Sequence, residues 1–169
     1  MLYRADIAGL TLDPASNTPI IILKTQEGDQ AVPIWIGLLE ATAIASVLQN
    51  IQFERPMTHD LFKNVLVSQN IEVVKVEVCD LKDNTFFAKI HFTTPEKTFI
   101  MDARPSDAIA VALRFKAPIY VDDQVIEKSK KGFTEGVTEG EILDKSEEGK
   151  KWAEYLEKLS PEDFGKYKV

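Results

Sequence analysis

The sequence has few of the residues that build disulfides or metal-bound frameworks. Cys79 is the only cysteine among 169 residues, and there are two histidines. A single cysteine excludes an internal disulfide and any zinc site made of several cysteines. Cys79 has no histidine near it in sequence and lies in a predicted strand, so we expect it to pack rather than to act as a nucleophile. His91 lies on the polar side of a predicted hairpin, and we expect it to be solvated.

Long apolar runs and a leader-like beginning are also missing. No stretch approaches the roughly 20 apolar residues of a membrane-spanning helix, and residues 1–6 lack a basic region followed by an apolar one. The 27 acidic residues outnumber the 20 basic ones, which gives a net charge of −7. An acidic balance disfavours a wide, sequence-independent nucleic-acid surface but permits a small site for one phosphate. Together these features predict a cytoplasmic protein without membrane partners.

The chain does contain clear strand and helix patterns, which predict an α+β fold. We expect a mixed, mainly antiparallel sheet with two or three packed helices and a C-terminal helical tail. The predicted strands are 1–12, 18–25, 31–36, 71–80, 85–92, 98–102 and 118–121. The predicted helices are 38–51, 58–69 and one within 102–114. Residues 1–127 are expected to form one domain, and residues 128–169 a polar loop and an amphipathic helical tail that packs on the domain or on a partner subunit.

Three charged segments stand out, each at the beginning of a predicted helix. Glu40 follows the strand break at Gly37, and the other two segments are Arg55-Pro56-Met57-Thr58-His59-Asp60 and Asp102-Ala103-Arg104-Pro105-Ser106-Asp107. The first and third resemble each other, because in both a strand and a break are followed by acid-Ala-x-Ala-x-Ala. This similarity predicts two weakly similar strand–helix halves, with Glu40 and Asp107 in equivalent places.

These segments also resemble the bifunctional nuclease family (the BFN domain). The resemblance includes Pro33-Ile34-Trp35-Ile36-Gly37 before Glu40 and Ala117-Pro118-Ile119 after the third segment, and it covers roughly residues 2–127. It implies an α+β domain that commonly associates as a homodimer or higher homo-oligomer. It also implies the activity for which the family is named, the degradation of both DNA and RNA by a nuclease.

The charged segments supply side chains suited to that chemistry. A nuclease must position water and stabilise a pentacoordinate phosphate, and divalent metals held by carboxylates commonly do this. The candidates for catalysis are His59, Asp60, Asp102 and Asp107. The candidates for phosphate binding are Arg55, Arg104 and Ser106. The candidate ligands for a divalent metal, Mg or Mn, are Glu40, Asp102 and Asp107. We therefore predict a nuclease of low sequence specificity, assisted by a divalent metal, with nucleic acid bound at a small site.

A structural interpretation of the same residues stays open. Arg55 and Arg104 could simply pair with neighbouring acids. Thr58 and Ser106 could be helix N-caps, each contributing about 1 kcal/mol of stability, and His59 could be a hydrogen-bonded structural histidine. Two other functions therefore remain as alternatives: a non-catalytic regulatory module that binds an anion, and an oligomerisation domain.

Overall fold

The computed structural model describes residues 1–133, which contain seven strands and four helices. The strands are β1 (Leu2–Leu12), β2 (Pro19–Thr25), β3 (Ala31–Trp35), β4 (Glu72–Lys82), β5 (Thr85–Thr93), β6 (Thr98–Ala103) and β7 (Ile119–Asp122). The helices are α1 (Leu38–Leu48), α2 (Thr58–Ser68), α3 (Pro105–Phe115) and α4 (Asp123–Phe133). These elements confirm the predicted α+β class.

All seven strands belong to one mixed sheet, in the order β3-β2-β1-β7-β4-β5-β6. Neighbouring strands run antiparallel except β7 and β4, which are parallel. The sheet is thus mainly antiparallel, as predicted. Strands β4 and β5 are joined by Asp83 and Asn84, whose φ angles of 47° and 58° suit a tight two-residue hairpin turn.

The fold contains the two similar halves that the sequence predicts. In each half, three consecutive antiparallel strands are followed by a helix, as β1-β2-β3-α1 and as β4-β5-β6-α3. Strands β3 and β6 lie at opposite edges of the sheet, yet α1 and α3 pack against each other. This packing brings the beginning of α1 close to the beginning of α3.

Helix α3 and strand β2 carry much of the core. Residues 108–112 of α3 are all buried, and three of these five residues are alanines. Small side chains let α3 approach α1, β4 and β5 closely. Residues 20–23 of β2 are also buried throughout. A strand whose residues are buried one after another is covered on both faces, as predicted for β2.

Apolar spacing predicts one buried stripe on α1 and one shared apolar face on α2, and both predictions are partly wrong. The predicted residues are Ile44, Val47, Leu48 and Ile51 for α1, and Leu61, Phe62, Val65 and Leu66 for α2. On α1, Ile44 is buried as expected, but Leu48 is 44% exposed, and the small residues Ala41 and Ala45 occupy the interface instead. On α2, Leu66 is buried, whereas three side chains predicted to share its face are 39–56% exposed. These exposed side chains are Leu61, Phe62 and Val65. Because α2 packs mainly against α3, only one side of the helix is covered.

Strand β4 is irregular, and this changes which of its valines face the core. Residue alternation predicts that Val74 shares a face with Val76 and Val78. This is wrong, because Val76 and Val78 are buried while Val74 is 49% exposed, and Val73 is buried in its place. The register with β5 shifts between Val73 and Lys75, as in a β-bulge. A shift of this kind reverses the side-chain alternation on one side of the irregularity.

The single cysteine and one of the histidines lie in the same sheet. The prediction that His91 is solvated is wrong, because its side chain is only 19% exposed and its Nε2 lies 3.1 Å from Oε1 of Glu77 on β4. Cys79 is half-buried, and burial raises the pKa of its thiol. A thiol with a raised pKa is a poor nucleophile at neutral pH, which agrees with a packing role.

The polar stretch that begins at Glu127 starts as a helix, so the prediction of a loop there is wrong as far as Phe133. Helix α4 buries Val125, Ile126 and Ser129 at helical spacing, and Lys128 Nζ lies 2.6 Å from Asp80 Oδ1. The remainder of the predicted loop and tail, residues 134–169, lies outside the described residues. Among residues 1–133, no helix is long and apolar enough to cross a membrane.

Candidate functional site at three helix beginnings

Three charged side chains and a histidine meet where α1, α2 and α3 begin. Glu40, His59 and Asp107 lie in the first turns of α1, α2 and α3, respectively, and Arg104 is the N-cap residue directly before α3. The first turn of a helix has backbone N–H groups without intrahelical partners and carries a partial positive charge. Three helix beginnings that meet in this way favour the binding of an anion.

Local backbone features direct these side chains to one place. Arg104 alone separates β6 from α3, and Pro105 suits the first helical position because its ring fixes φ and no N–H partner is needed there. Gly37 precedes α1, and a Cβ at this position would collide with the carboxylate of Glu40. Glycine at position 37 therefore lets the Glu40 side chain fold back over the beginning of its own helix.

The four side chains form one continuous chain of hydrogen bonds. Arg104 Nη1 donates to Glu40 Oε1 at 2.8 Å, and Arg104 Nε donates to Asp107 Oδ2 at 2.7 Å. The other oxygen of Asp107, Oδ1, lies 2.9 Å from His59 Nε2. The Asp107 carboxylate thus joins a guanidinium group to an imidazole ring. Within residues 1–133, the second ring nitrogen of His59, Nδ1, makes no hydrogen bond.

The environment of this chain keeps Asp107 ionised and Arg104 accessible. Burial raises the pKa of the Asp107 carboxyl, but hydrogen bonds from Arg104 and His59 outweigh burial and hold the pKa below its ordinary value of 3.8. The hydrogen bond to Asp107 raises the pKa of the Arg104 guanidinium. The side chain of Arg104 is 65% exposed, and that of His59 is 16% exposed. The site therefore presents a fixed cation to solvent beside a partly covered imidazole.

The lowered pKa of Asp107 predicts a loss of stability in acid. Its ionised form contributes stability that is fully present above the ordinary carboxyl pKa and is lost as the pH falls through the lower pKa of the folded state. Urea titrations at a series of pH values measure the free energy of unfolding. Below about pH 4, this free energy should therefore decrease less steeply with falling pH for Asp107→Asn than for the unmodified protein. Parallel pH dependences for the two proteins would contradict this assignment.

Asp60 follows His59 directly but belongs to a second, separate unit. Its Oδ1 accepts a hydrogen bond from Arg114 Nε at 2.7 Å, and its Oδ2 accepts one from the backbone N–H of Met57 at 3.0 Å. Arg114 Nη1 also donates to the backbone carbonyls of α1 and α3, and the Arg114 side chain is only 4% exposed. Asp60 therefore satisfies a backbone donor at the beginning of α2 and ties α2 to its two neighbours.

The two residues considered as helix N-caps, Thr58 and Ser106, are not N-caps. Helix α2 begins at Thr58, so its N-cap is Met57, and the N-cap of α3 is Arg104. Ser106 is the second residue of α3 and is 6% exposed. Ser106 stays a predicted phosphate ligand through its place in the same first turn as Asp107.

Two other predicted site residues make none of the contacts of the four-residue chain. Asp102 is exposed on β6, where it pairs in register with Lys89 of β5. Arg55 is exposed in the segment before α2, where it lines a cavity of about 330 Å³ together with Asp60 and Arg114. The structure thus brings together four of the predicted residues and places Arg55 beside a different feature.

The carboxylates are not arranged as a ready-made metal site. In the described part of the chain, no group of three or more His, Cys, Asp or Glu side chains could hold a metal ion. Glu40 and Asp107 do come together, but both are ion-paired with Arg104, and Asp102 contacts neither. A divalent ion bound by Glu40 and Asp107 would have to displace Arg104. The predicted metal ligands therefore stay a prediction.

Arg114 is the important residue that the sequence interpretation missed. It lies in the last turn of α3, where a basic side chain commonly complements the helix dipole at the surface. The available signal was its spacing, because Arg114 follows Ala110 and Val111 by four and three residues on a helix that is apolar almost all round. A guanidinium group at a buried position requires a partner anion. Asp60 is that partner.

The class of protein follows from comparison with known families. The sequence model of the bifunctional nuclease domain matches residues 21–133, which is more than half of the protein. The matched range includes Glu40, His59, Arg104 and Asp107. The chain therefore belongs to the bifunctional nuclease domain family, and the resemblance seen in its motifs is confirmed.

The chain is also similar to individual curated proteins. An uncharacterised protein of Mycobacterium tuberculosis (strain H37Rv) is 34% identical over 166 residues, which cover 94% of this chain and 95% of that protein. Bifunctional nuclease 1 of Oryza sativa subsp. japonica is 27% identical over 109 residues, and Bifunctional nuclease 1 of Arabidopsis thaliana is 29% identical over 108 residues. Each plant match covers 62% of this chain and 33% of the plant protein, so the chain spans about a third of the length of those relatives.

Proposed function

We propose that this protein hydrolyses phosphodiester bonds of DNA and RNA at the point where α1, α2 and α3 begin. The observation that carries the proposal is the hydrogen bond between His59 and Asp107 beside the exposed guanidinium of Arg104. Membership of the bifunctional nuclease domain family and similarity to plant proteins named bifunctional nucleases support the same activity.

Each side chain has a distinct role in this proposal. His59 is the general base, because its Nε2 is held by Asp107 while Nδ1 is left to accept a proton. Asp107 orients the imidazole and stabilises its positive charge once the proton has been taken. Arg104 binds the phosphate oxygens, since guanidinium groups recognise phosphate through paired, charged hydrogen bonds. Glu40 holds Arg104 from the opposite side.

The reaction then follows from these positions. His59 Nδ1 takes a proton from a water molecule, and the water oxygen forms a bond with phosphorus. Arg104 and the free N–H groups of the helix beginnings stabilise the charge that develops on the phosphate oxygens. The bond from phosphorus to the leaving sugar oxygen breaks on the opposite side, and that oxygen takes a proton from solvent water while the imidazolium releases its proton to solvent.

Low sequence specificity and action on both nucleic acids follow from the kind of contact proposed. Arg104 and the helix N–H groups are suited to phosphate, which DNA and RNA share, and phosphate contacts carry no direct sequence information. The net charge of −7 agrees with a small contact region rather than a long basic surface. Assistance by Mg or Mn remains part of the proposal, and it would require Glu40 and Asp107 to give up their pairing with Arg104.

The proposal is tested by cleavage of single- and double-stranded DNA and RNA with highly purified protein. Arg104→Gln should lower the rate by about 10²-fold or more, as expected for loss of a group that stabilises transition-state charge. Arg4→Gln, which changes an exposed arginine on β1, is the matched control and should leave the rate unchanged. Equal activity in all three proteins would identify a contaminating nuclease and contradict the proposal.

Removal of divalent ions tests the metal separately. If a metal assists, dialysis against EDTA should lower the rate and added Mg²⁺ or Mn²⁺ should restore it. An EDTA-resistant rate that still requires Arg104 would contradict metal assistance and leave the site assignment in place.

Self-association is a second proposal, favoured by exposed apolar side chains on two helices that both contact α3. Leu39 on α1 is 82% exposed, and Leu61 and Val65 on α2 are 56% and 50% exposed. Exposed apolar surface often marks a protein–protein interface. Sedimentation should therefore show a homodimer or a higher homo-oligomer that Leu39→Glu or Leu61→Glu weakens. A stable monomer would contradict this proposal.

A further inference from the structure

A cavity of about 330 Å³ borders the beginning of α2, and none of the residues of the four-residue chain (Glu40, Arg104, Asp107 and His59) lines it. It is lined by the end of α1, by the segment that leads into α2, and by Asp60 and Arg114. Its volume is at the lower end of the range for pockets that bind small organic ligands. None of the proposed chemistry uses it.

The lining combines cationic groups with an apolar wall. Arg55 is exposed. Arg114 is fixed by hydrogen bonds through Nε and Nη1, whereas its Nη2 makes no hydrogen bond among the described residues. Val47, Ile51 and Pro56 contribute apolar surface to the same cavity. Guanidinium groups bind phosphate, whereas apolar and aromatic surface favours a planar base.

The acidic groups in the cavity do not cancel its ability to bind a nucleotide. Asp60 is already paired with Arg114 and with the backbone N–H of Met57. Glu54 is exposed beside Arg55, and its carboxylate can accept hydrogen bonds from the exocyclic amino group of a base. The pocket therefore offers phosphate one guanidinium, that of Arg55, which forms no ion pair among the described residues. It also offers an apolar wall for a base and an acceptor for the base edge.

The cavity is close enough to the proposed cleavage site for both to contact one strand. His59 and Asp60 are consecutive residues, so their Cα atoms are about 3.8 Å apart, yet their side chains contact Asp107 and Arg114, respectively. Asp107 and Arg114 are separated by about 10 Å along α3. A strand only a few nucleotides long can span this distance.

We infer that this cavity binds one unpaired nucleotide of the substrate, with its base against the apolar wall and its phosphate on Arg55. The inference rests on the proposed nuclease activity and specifies its substrate as single-stranded nucleic acid or the frayed end of a duplex. A base inside a duplex is stacked and paired, and must leave the stack before it can enter a pocket of this size.

Binding of adenosine monophosphate, adenosine and inorganic phosphate to the purified protein, measured by calorimetry, tests the inference. Adenosine monophosphate should bind about tenfold more tightly than phosphate or adenosine alone, because it uses the guanidinium and the apolar wall together. Arg55→Gln should weaken its binding by about tenfold. Arg4→Gln should leave it unchanged. Equal affinity for phosphate and for the nucleotide, or no binding of the nucleotide, would overturn the inference.

A cavity-filling variant links this binding to substrate choice. Ile51→Trp should abolish nucleotide binding and should lower the ratio of single-strand to double-strand cleavage by about tenfold. Arg55→Gln should lower the same ratio. Because Arg55 is exposed, this variant replaces Ile51→Trp in the test if Ile51→Trp does not fold. An unchanged ratio and unchanged nucleotide binding in Arg55→Gln would overturn the inference.

The failure of this inference can be told apart from the failure of the proposed function. Nucleotide binding that depends on Arg55, in a protein without Arg104-dependent cleavage, would support the cavity assignment and contradict the nuclease proposal. Cleavage that requires Arg104 but is indifferent to Arg55→Gln and Ile51→Trp would contradict the cavity assignment and leave the nuclease proposal standing. His59→Gln should retain nucleotide binding, since His59 does not line the cavity.

Discussion

Replacement of His59 by glutamine should lower kcat for phosphodiester cleavage by about 10²–10⁴-fold, the usual contribution of a general base. The glutamine amide can still donate a hydrogen bond to Asp107, so the contact between α2 and α3 is retained. It cannot accept a proton from water, and this is the function that is lost. Initial rates on a fluorescent single-stranded oligonucleotide, measured at saturating substrate, give kcat directly.

The second histidine provides a matched control for this change. His91 lies on β5, where it contacts Glu77 and makes no contact with the four-residue chain. His91→Gln should leave kcat within about threefold of the unmodified protein, as for substitutions away from the reacting groups. A similar large loss in both variants would show that the effect of His59→Gln comes from misfolding. Full activity of His59→Gln would remove His59 from the mechanism.

Replacement of Asp60 by alanine should destabilise the fold by about 3 kcal/mol or more, the cost of leaving a buried charge without its partner. Arg114 is only 4% exposed and loses its sole carboxylate within the described residues, while the backbone N–H of Met57 loses its acceptor. Urea unfolding monitored by circular dichroism measures the change in free energy. Asp102→Ala removes an exposed aspartate and should change the free energy by no more than about 0.5 kcal/mol.

A double variant separates the ion pair from the helix-start contact. In Asp60→Leu with Arg114→Met, no unpaired charge is left, so part of the lost stability should return relative to Asp60→Ala. The contact with Met57 is still missing, so recovery should be incomplete. Equal stability of Asp60→Ala and Asp102→Ala would contradict the role of the buried pair.

The sequence was sufficient to predict local structure and the three charged segments. Seven strands and three of the four helices were expected from apolar periodicity and turn residues, and the structure contains them with small shifts at the ends. The repeated acid-Ala-x-Ala-x-Ala pattern also placed Glu40 and Asp107 in equivalent positions of two halves. Both inferences rest on short-range patterns, which a single sequence records.

The same patterns do not predict contacts between residues that are distant in sequence. The pairing of Glu40 with Arg104 depends on the packing of α1 against α3, and the pairing of His59 with Asp107 depends on the packing of α2 against α3. The spacing of Arg114 places it among apolar residues of α3, but spacing does not show which residue pairs with it. Its partner, Asp60, lies on a different helix.

The wrong predictions also have physical causes. Val74 faces outward because a bulge shifts the register of β4, which residue alternation alone does not reveal. Helix α4 was interpreted as a loop because its lysines dominate the composition, although Val125, Ile126 and Ser129 form a buried face. In both cases a tertiary contact outweighs the local signal.

The central claim is that His59 and Asp107 act as one unit in phosphodiester hydrolysis. A double-mutant cycle tests it most directly, with cleavage rates for the unmodified protein, His59→Gln, Asp107→Asn and the double variant. If Asp107 acts only by positioning His59, the double variant should be no more than about threefold slower than His59→Gln alone. Losses that simply multiply, or an unmodified protein no faster than the double variant, would contradict the account.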